Sequence, residues 1–170
     1  AWGAQLEELS YATSYIPTTG ATATRNQETC VDATPTINSE EGVLYFEGSA
    51  LADDGNNRYI SMNDGTTSNR VNLFYDTNNV LRGFVTGISS MATSATITNN
   101  TKVALKYKSG DIALWVNGVE VSTKTDAISL SGLNNLSFNQ TGGLLWYGNA
   151  KGLQVFDKAL SDYQLKQLTT

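Results

Sequence analysis

Residues Thr101–Val121, TKVALKYKSGDIALWVNGVEV, decide the fold class of this chain. Apolar side chains alternate with polar ones through Val103, Leu105 and Tyr107. The alternation breaks at Lys108-Ser109-Gly110-Asp111 and resumes at Ile112, Leu114 and Val116. A period of two marks a strand with one buried face, and a short Ser-Gly-Asp break between two such strands marks a hairpin. Asn117-Gly118 marks a second tight turn, because Asn followed by Gly tolerates the positive φ of primed hairpin turns. The segment predicts three antiparallel strands in about twenty residues.

Strand signals recur on both sides of this segment. Val43–Gly48 is apolar and aromatic, Arg58–Met62 follows a DDGNN turn, and Asn69–Tyr75 follows an NDGTTSN turn. Val80–Thr86 comes after Asp76-Thr77-Asn78-Asn79. Leu136–Asn139 and Leu144–Tyr147 flank Thr141-Gly142-Gly143, and Gly152–Phe156 closes the series. Short strands with turn chemistry between them predict an all-β, two-sheet antiparallel β-sandwich of jelly-roll type. One short C-terminal helix is expected after Asp157. Ser161 serves as N-cap, Gln164 completes a capping box, and Leu165 and Leu168 face the sandwich.

Composition narrows the function. The chain has 170 residues and a formal net charge of −5, which argues against a duplex nucleic-acid binder. No apolar run approaches the roughly 20 residues that cross a bilayer, so membrane insertion is not expected. Cys30 is the only cysteine, so an intrachain disulfide is impossible. Histidine is absent, which removes the commonest general base and metal ligand. No E-x-D-x-E cluster, G-x-S-x-G elbow or phosphate-binding loop is present. Glu40, Glu41 and Glu47 come nearest to a carboxylate pair, but the first two precede the strand. The chain reads as non-catalytic.

The stretch KVALKYKSGDIALWVNGVEV and the later KGLQVFDKALSDYQLKQLT resemble the laminin-G-like or concanavalin-A-like lectin and glucanase sandwich. The resemblance covers about residues 43–170. It implies two curved antiparallel sheets whose concave face often binds glycans. It also implies a structural calcium held by an Asp of the closing strand, for which Asp157 is the matching position, although helix entry explains Asp157 equally well. Asp53, in the DDGNN turn, offers a further oxygen donor and fits a plain hairpin turn as well.

The opening WGAQLEELSYATSYIPTTGATATR is similar to connectors of bacteriophage tail-fibre and other virion structural proteins. Within it, alternation at Trp2–Glu7 suggests the last strand of an upstream module. Residues 1–25 are therefore read as connector and residues 26–170 as the sandwich. Beginning at Ala1, the chain reads as cut from a longer virion, extracellular or cell-surface protein.

Pleating assigns the faces. Val103, Leu105, Tyr107, Ile112, Leu114 and Val116 point to the core, and Lys106, Trp115 and Asn117 point away. Val71, Leu73 and Tyr75 point in, leaving Arg70, Asn72 and Phe74 opposite. In Val80–Val85 the pattern fits either face, and the simplest assignment has Arg82 and Phe84 share one with Val80. If these strands are neighbours, Trp115, Arg70, Arg82, Asn72, Phe74, Lys106 and Asn117 form one outer surface. Aromatic faces stack on sugar C–H groups, and cations favour an anionic polysaccharide or cell-surface glycan. On that reading Trp115→Ala abolishes binding and leaves the fold intact.

Two other readings fit the same residues. In one, Trp115 and Phe74 pack beneath a neighbouring loop or domain and the cations are solvated. In the other, the face is a subunit contact of a virion structural module without a sugar ligand, with a homotrimer expected in the full-length protein. Trp146 and Tyr147 are adjacent and face opposite sides, one toward the core and the other a secondary sugar platform.

Overall fold

The computed structural model describes residues 35–140 and 143–170, with Pro17 and residues 19–21. The chain divides into two units, Ala1–Ala33 and Thr34–Thr170, and the second carries the described fold. The strand expected at Trp2–Glu7, most of the connector and Cys30 lie outside the described residues.

The strands are β1 (Glu41–Ala50), β2 (Arg58–Asn63), β3 (Arg70–Tyr75), β4 (Leu81–Val85), β5 (Met91–Thr93), β6 (Thr101–Lys108), β7 (Ile112–Val116) and β8 (Val119–Lys124). They continue with β9 (Asn135–Ser137), β10 (Asn139–Gln140), β11 (Leu144–Leu145) and β12 (Gly148–Phe156), and helix α1 spans Asp162–Thr169. Two five-stranded antiparallel sheets result. The first has the order β12-β1-β6-β7-β8, and the second β5-β4-β3-β2-β9. Strands β10 and β11 form a separate hairpin. The architecture is the expected sandwich with one short C-terminal helix.

The Thr101–Val121 stretch forms β6, β7 and the start of β8 as its alternation requires. Asn117 and Gly118 both take positive φ, 47° and 81°, as a primed two-residue turn demands. Beyond that turn the pairing of β7 with β8 shifts between Leu114 and Trp115, because Leu114 faces Ser122 while Trp115 faces Glu120. Such a bulge sharpens local twist without ending the ladder.

The core lies between the sheets. Leu44, Val103, Leu105, Tyr107, Ile112 and Leu114 of the first sheet pack against Ile60, Met62, Val71, Leu73, Tyr75, Leu81 and Val85 of the second. All are almost fully removed from water, which is the dominant stabilising contribution in a domain of this kind. Gly83 occupies an inward position on β4, where a Cβ would lie 3.1 Å from Leu105 Cδ1 and 3.2 Å from Leu114 Cδ1. The sheets approach closely there because the position carries no side chain. Trp146 joins the core, meeting Phe46 edge-on at 4.7 Å between ring centroids.

A second, smaller core occupies the outer face of the first sheet. Val43, Tyr45, Ala104, Ala113 and Trp115 are buried there with Leu165, and Phe156, Leu160 and Leu168 pack around them. Helix α1 is the cover. Ser161 caps it in a full capping box with Gln164. At its other end the buried Thr169 Oγ1 accepts a hydrogen bond from Gly118 N at 3.1 Å, which fixes the helix to the β7–β8 turn.

Candidate functional site

The alternation that buries Val71, Leu73 and Tyr75 sends Arg70, Asn72 and Phe74 to the outer face of the second sheet. Register then chooses their neighbours. Ser61 lies opposite Asn72 from β2, and Phe84 lies opposite it from β4. Tyr59 and Arg82 flank Phe74 in the same way. The structure therefore brings together four of the residues expected from sequence: Arg70, Asn72, Phe74 and Arg82.

Two contacts organise this face. Tyr59 and Phe74 stack with ring centroids 4.4 Å apart and planes 6° from parallel. The Arg70 guanidinium sits over the Phe84 ring, 5.0 Å from its centroid. Such pairs between adjacent strands are the ordinary means by which a sheet face is stabilised. Burial pushes the Tyr59 hydroxyl pKa up, so it stays neutral and can donate a hydrogen bond at any physiological pH. Ser61 and Asn63 are buried in the floor of this face, with Asn63 Nδ2 donating to Ser61 Oγ at 3.0 Å. Asn63 Oδ1 in turn accepts from Gly65 N and Asn135 Nδ2.

The two arginines differ. Arg82 Nε donates to Asp76 Oδ2 at 2.6 Å, and Arg82 Nη1 donates to Ser90 Oγ at 3.2 Å. Asp76 also accepts from the backbone of Asn78 and Val80, so it closes the β3–β4 turn while holding Arg82. Burial works against the Asp76 charge, but these hydrogen bonds prevail and hold its pKa below the usual carboxylate range. Arg70 has no carboxylate within ion-pair distance among the described residues. Its Nε is buried and has no hydrogen-bond partner.

The other expected residues are elsewhere. Trp115 is a correction: it was expected on the accessible face beside Arg70, and it is 7% exposed beneath α1 on the other sheet. Alternation did point its side chain away from the main core. The sequence reading did not connect Leu165 and Leu168 with that side of the sheet, and these residues turn the outer face into a second interior. Lys106 stands on the same covered face. It is buried, with Nζ 2.7 Å from Asp111 Oδ1 and 3.1 Å from Asp162 Oδ1. Burial opposes its charge, but the bonds to the two aspartates raise its pKa above the ordinary lysine value. It braces the helix start and does not reach the Arg70 face. Asn117 is exposed at the β7–β8 turn, where its Oδ1 accepts from Lys102 N at 3.0 Å. Its place is explained by turn geometry.

Asp53 and Asp157 stand on separate loops. The Asp53 carboxylate accepts a hydrogen bond from Asn79 Nδ2, and the Asp157 backbone carbonyl accepts from Asn38 Nδ2 at 2.9 Å. Among the described residues no three Asp, Glu or Cys side chains gather as a metal site would need. Calcium has no part in the function proposed below. Of the adjacent pair Trp146 and Tyr147, Trp146 packs against the core, while Tyr147 is half exposed and its carbonyl accepts from Arg58 Nε at 3.0 Å.

Sequence reasoning did not single out Tyr59, and it placed Phe84 on the face without giving it a role. The signal for Tyr59 lay in the β2 pattern, where it alternates with Arg58 and Ile60. Only the β2–β3 register shows that it meets Phe74.

No protein-family model and no curated protein sequence matches this chain. Solved structures do resemble it. The CBM40 carbohydrate-binding module of the Ruminococcus gnavus IT-sialidase superposes with a TM-score of 0.63 at 17% identity, covering 78% of this chain and 84% of the module. The chain shares a fold with it. A SAP-like pentraxin from Limulus polyphemus matches with a TM-score of 0.59 at 15% identity, over 78% of this chain and 70% of the pentraxin. Domain 4 of an extracellular GH43 arabinanase from Geobacillus stearothermophilus, solved with arabinotriose, matches with a TM-score of 0.56 at 15% identity. That match covers 79% of this chain and 68% of the domain's chain. At these identities the likeness establishes the lectin-like sandwich fold.

Proposed function

We propose that this chain is a non-catalytic glycan-binding module, that its contact surface is the outer face of β2, β3 and β4, and that its ligand carries a carboxylate. The observation that carries this reading is Arg70, a guanidinium with no acidic partner among the described residues, resting on Phe84 beside the stacked Tyr59–Phe74 pair. A planar guanidinium takes a carboxylate through two parallel hydrogen bonds, and an aromatic ring takes the apolar side of a sugar. The net charge of −5 does not oppose this, because at physiological salt fields from distant charges are screened within about 8 Å.

The fold supports the reading. The Ruminococcus gnavus module of the same architecture has been solved bound to α2,6-sialyllactose and to α2,3-sialyllactose. The strand positions that share the Arg70 face carry no acidic side chain, so the paired carboxylates of glycoside hydrolysis are missing there. We further place the module in an adhesion protein of a virion or a cell surface, on the strength of the connector-like residues 1–25.

The test is calorimetric titration of the purified chain with α2,6-sialyllactose and with a uronate oligosaccharide. Micromolar-to-millimolar binding of at least one is expected, with loss of about tenfold or more in Arg70→Gln, which removes the charge and keeps much of the length. Binding that is indifferent to Arg70→Gln, or no binding of either sugar, contradicts the proposal.

A further inference from the structure

The floor of the same face holds an amide that the fold leaves unmet. Asn72 is 1% exposed, and among the described residues its Oδ1 is buried without a hydrogen-bond partner. Buried amides are nearly always paired, because water has been lost and nothing replaces it. Its neighbour Asn63 shows the contrast, since both ends of that amide are bonded on the same face. Asn72 occupies the middle of the central strand β3, two residues from Arg70 and two from Phe74, with Ser61 and Phe84 opposite it. The Arg70 guanidinium lies over the ring of Phe84, the residue that the β3–β4 register sets opposite Asn72. Arg70 Nε is likewise buried and unbonded. An unpaired donor and an unpaired acceptor therefore belong to two residues of the same strand face, Arg70 and Asn72.

We infer that Asn72 sets the specificity of this face: a sugar carboxylate draws the Arg70 guanidinium off Phe84, and a neighbouring N–H or O–H of the same sugar then bonds Asn72 Oδ1. This rests on the glycan reading above and adds the ligand chemistry, an acidic sugar with a hydrogen-bond donor close to its carboxylate. Arg70 supplies affinity for the charge. Asn72 discriminates against acidic sugars that offer no donor at that place, because they leave its carbonyl unmet.

The experiment uses Asn72→Leu, which keeps the branching of the side chain without its polar atoms, and Asn72→Ala as the smaller change. Thermal melting is followed without ligand, and binding is followed with α2,6-sialyllactose, which offers an acetamido N–H as well as hydroxyls, and a uronate oligosaccharide, which offers hydroxyls alone. The expected result is that Asn72→Leu melts at or above the wild type and binds about tenfold more weakly or worse. A loss confined to α2,6-sialyllactose points to a donor that the uronate lacks, and a matching loss with both sugars points to a hydroxyl. A clear drop in melting temperature for both variants overturns the inference, because Asn72 then serves the fold. Unchanged binding by a stable Asn72→Leu overturns it too, while leaving the glycan reading in place. Failure of the wild-type chain to bind either sugar overturns both.

Discussion

Replacing Trp115 by alanine separates the two possible roles of this residue. The indole is nearly all buried between Ala104, Ala113 and Leu165. A buried Trp removes roughly 200 Å² from water, worth about 5 kcal/mol at 25 cal/mol per Å². Trp115 Nε1 has no hydrogen-bond partner, and that buried donor already subtracts about 1–3 kcal/mol from the gain. That subtraction, only partly offset by the cost of the hole left beneath α1, puts the loss near the lower end of the Trp→Ala range, about 3 kcal/mol. In a domain of this size that is a fall in Tm of roughly 10 °C. Urea unfolding followed by circular dichroism reads the change directly, with a lowered midpoint. Sugar binding by the folded fraction should be unchanged. A Trp115→Ala protein within about 0.5 kcal/mol of wild-type stability, or one that folds normally and no longer binds, would refute this placement of Trp115.

Further expectations follow from single positions. Arg58 is 1% exposed and binds Asp54 at 2.6 Å, Asn56 O at 3.0 Å and Tyr147 O at 3.0 Å, so Arg58→Ala should cost about 2–3 kcal/mol in urea unfolding. Gly83→Val should cost about 1–3 kcal/mol, because its side chain must displace the tips of Leu105 and Leu114, with glycan binding by the folded protein retained. The pH profile should be flat from about pH 5 to pH 8, since there is no histidine and the Asp76 carboxyl is held below the usual carboxylate range. A depressed carboxylate contributes stability that is fully present above its unfolded pKa near 4 and lost as pH falls through the folded value, so melting temperature should decline below about pH 4. Asp76→Asn should abolish its share of that decline.

The sandwich was legible because period-two alternation is a local property. Thr101–Val121 announces its strands and turns without reference to any other part of the chain, and the capping box at Ser161 does the same for α1. The inward and outward sets on β3 were equally readable, since Val71, Leu73 and Tyr75 alternate with Arg70, Asn72 and Phe74. Sheet membership was not. Trp115 and Phe74 both point away from the main core, yet they stand on opposite sides of the molecule, and nothing in either strand's own pattern says so. The cover over Trp115 comes from a helix some fifty residues later, and the partner of Phe74 comes from Tyr59 through register. Short β5 escaped notice because three residues are too few to show a period. What remained hidden was long-range pairing, and that is why Trp115 and Lys106 lie apart from Arg70 and Phe74.

A backbone-amide NMR titration with α2,6-sialyllactose tests the central claim most directly, because it reports the contact surface without any mutation. Shifts should concentrate at Tyr59, Arg70, Asn72, Phe74 and Phe84, with none at Trp115 or along α1. Shifts centred on the β7–β8 turn, on α1 or on the β10–β11 hairpin would place the ligand elsewhere and contradict the account.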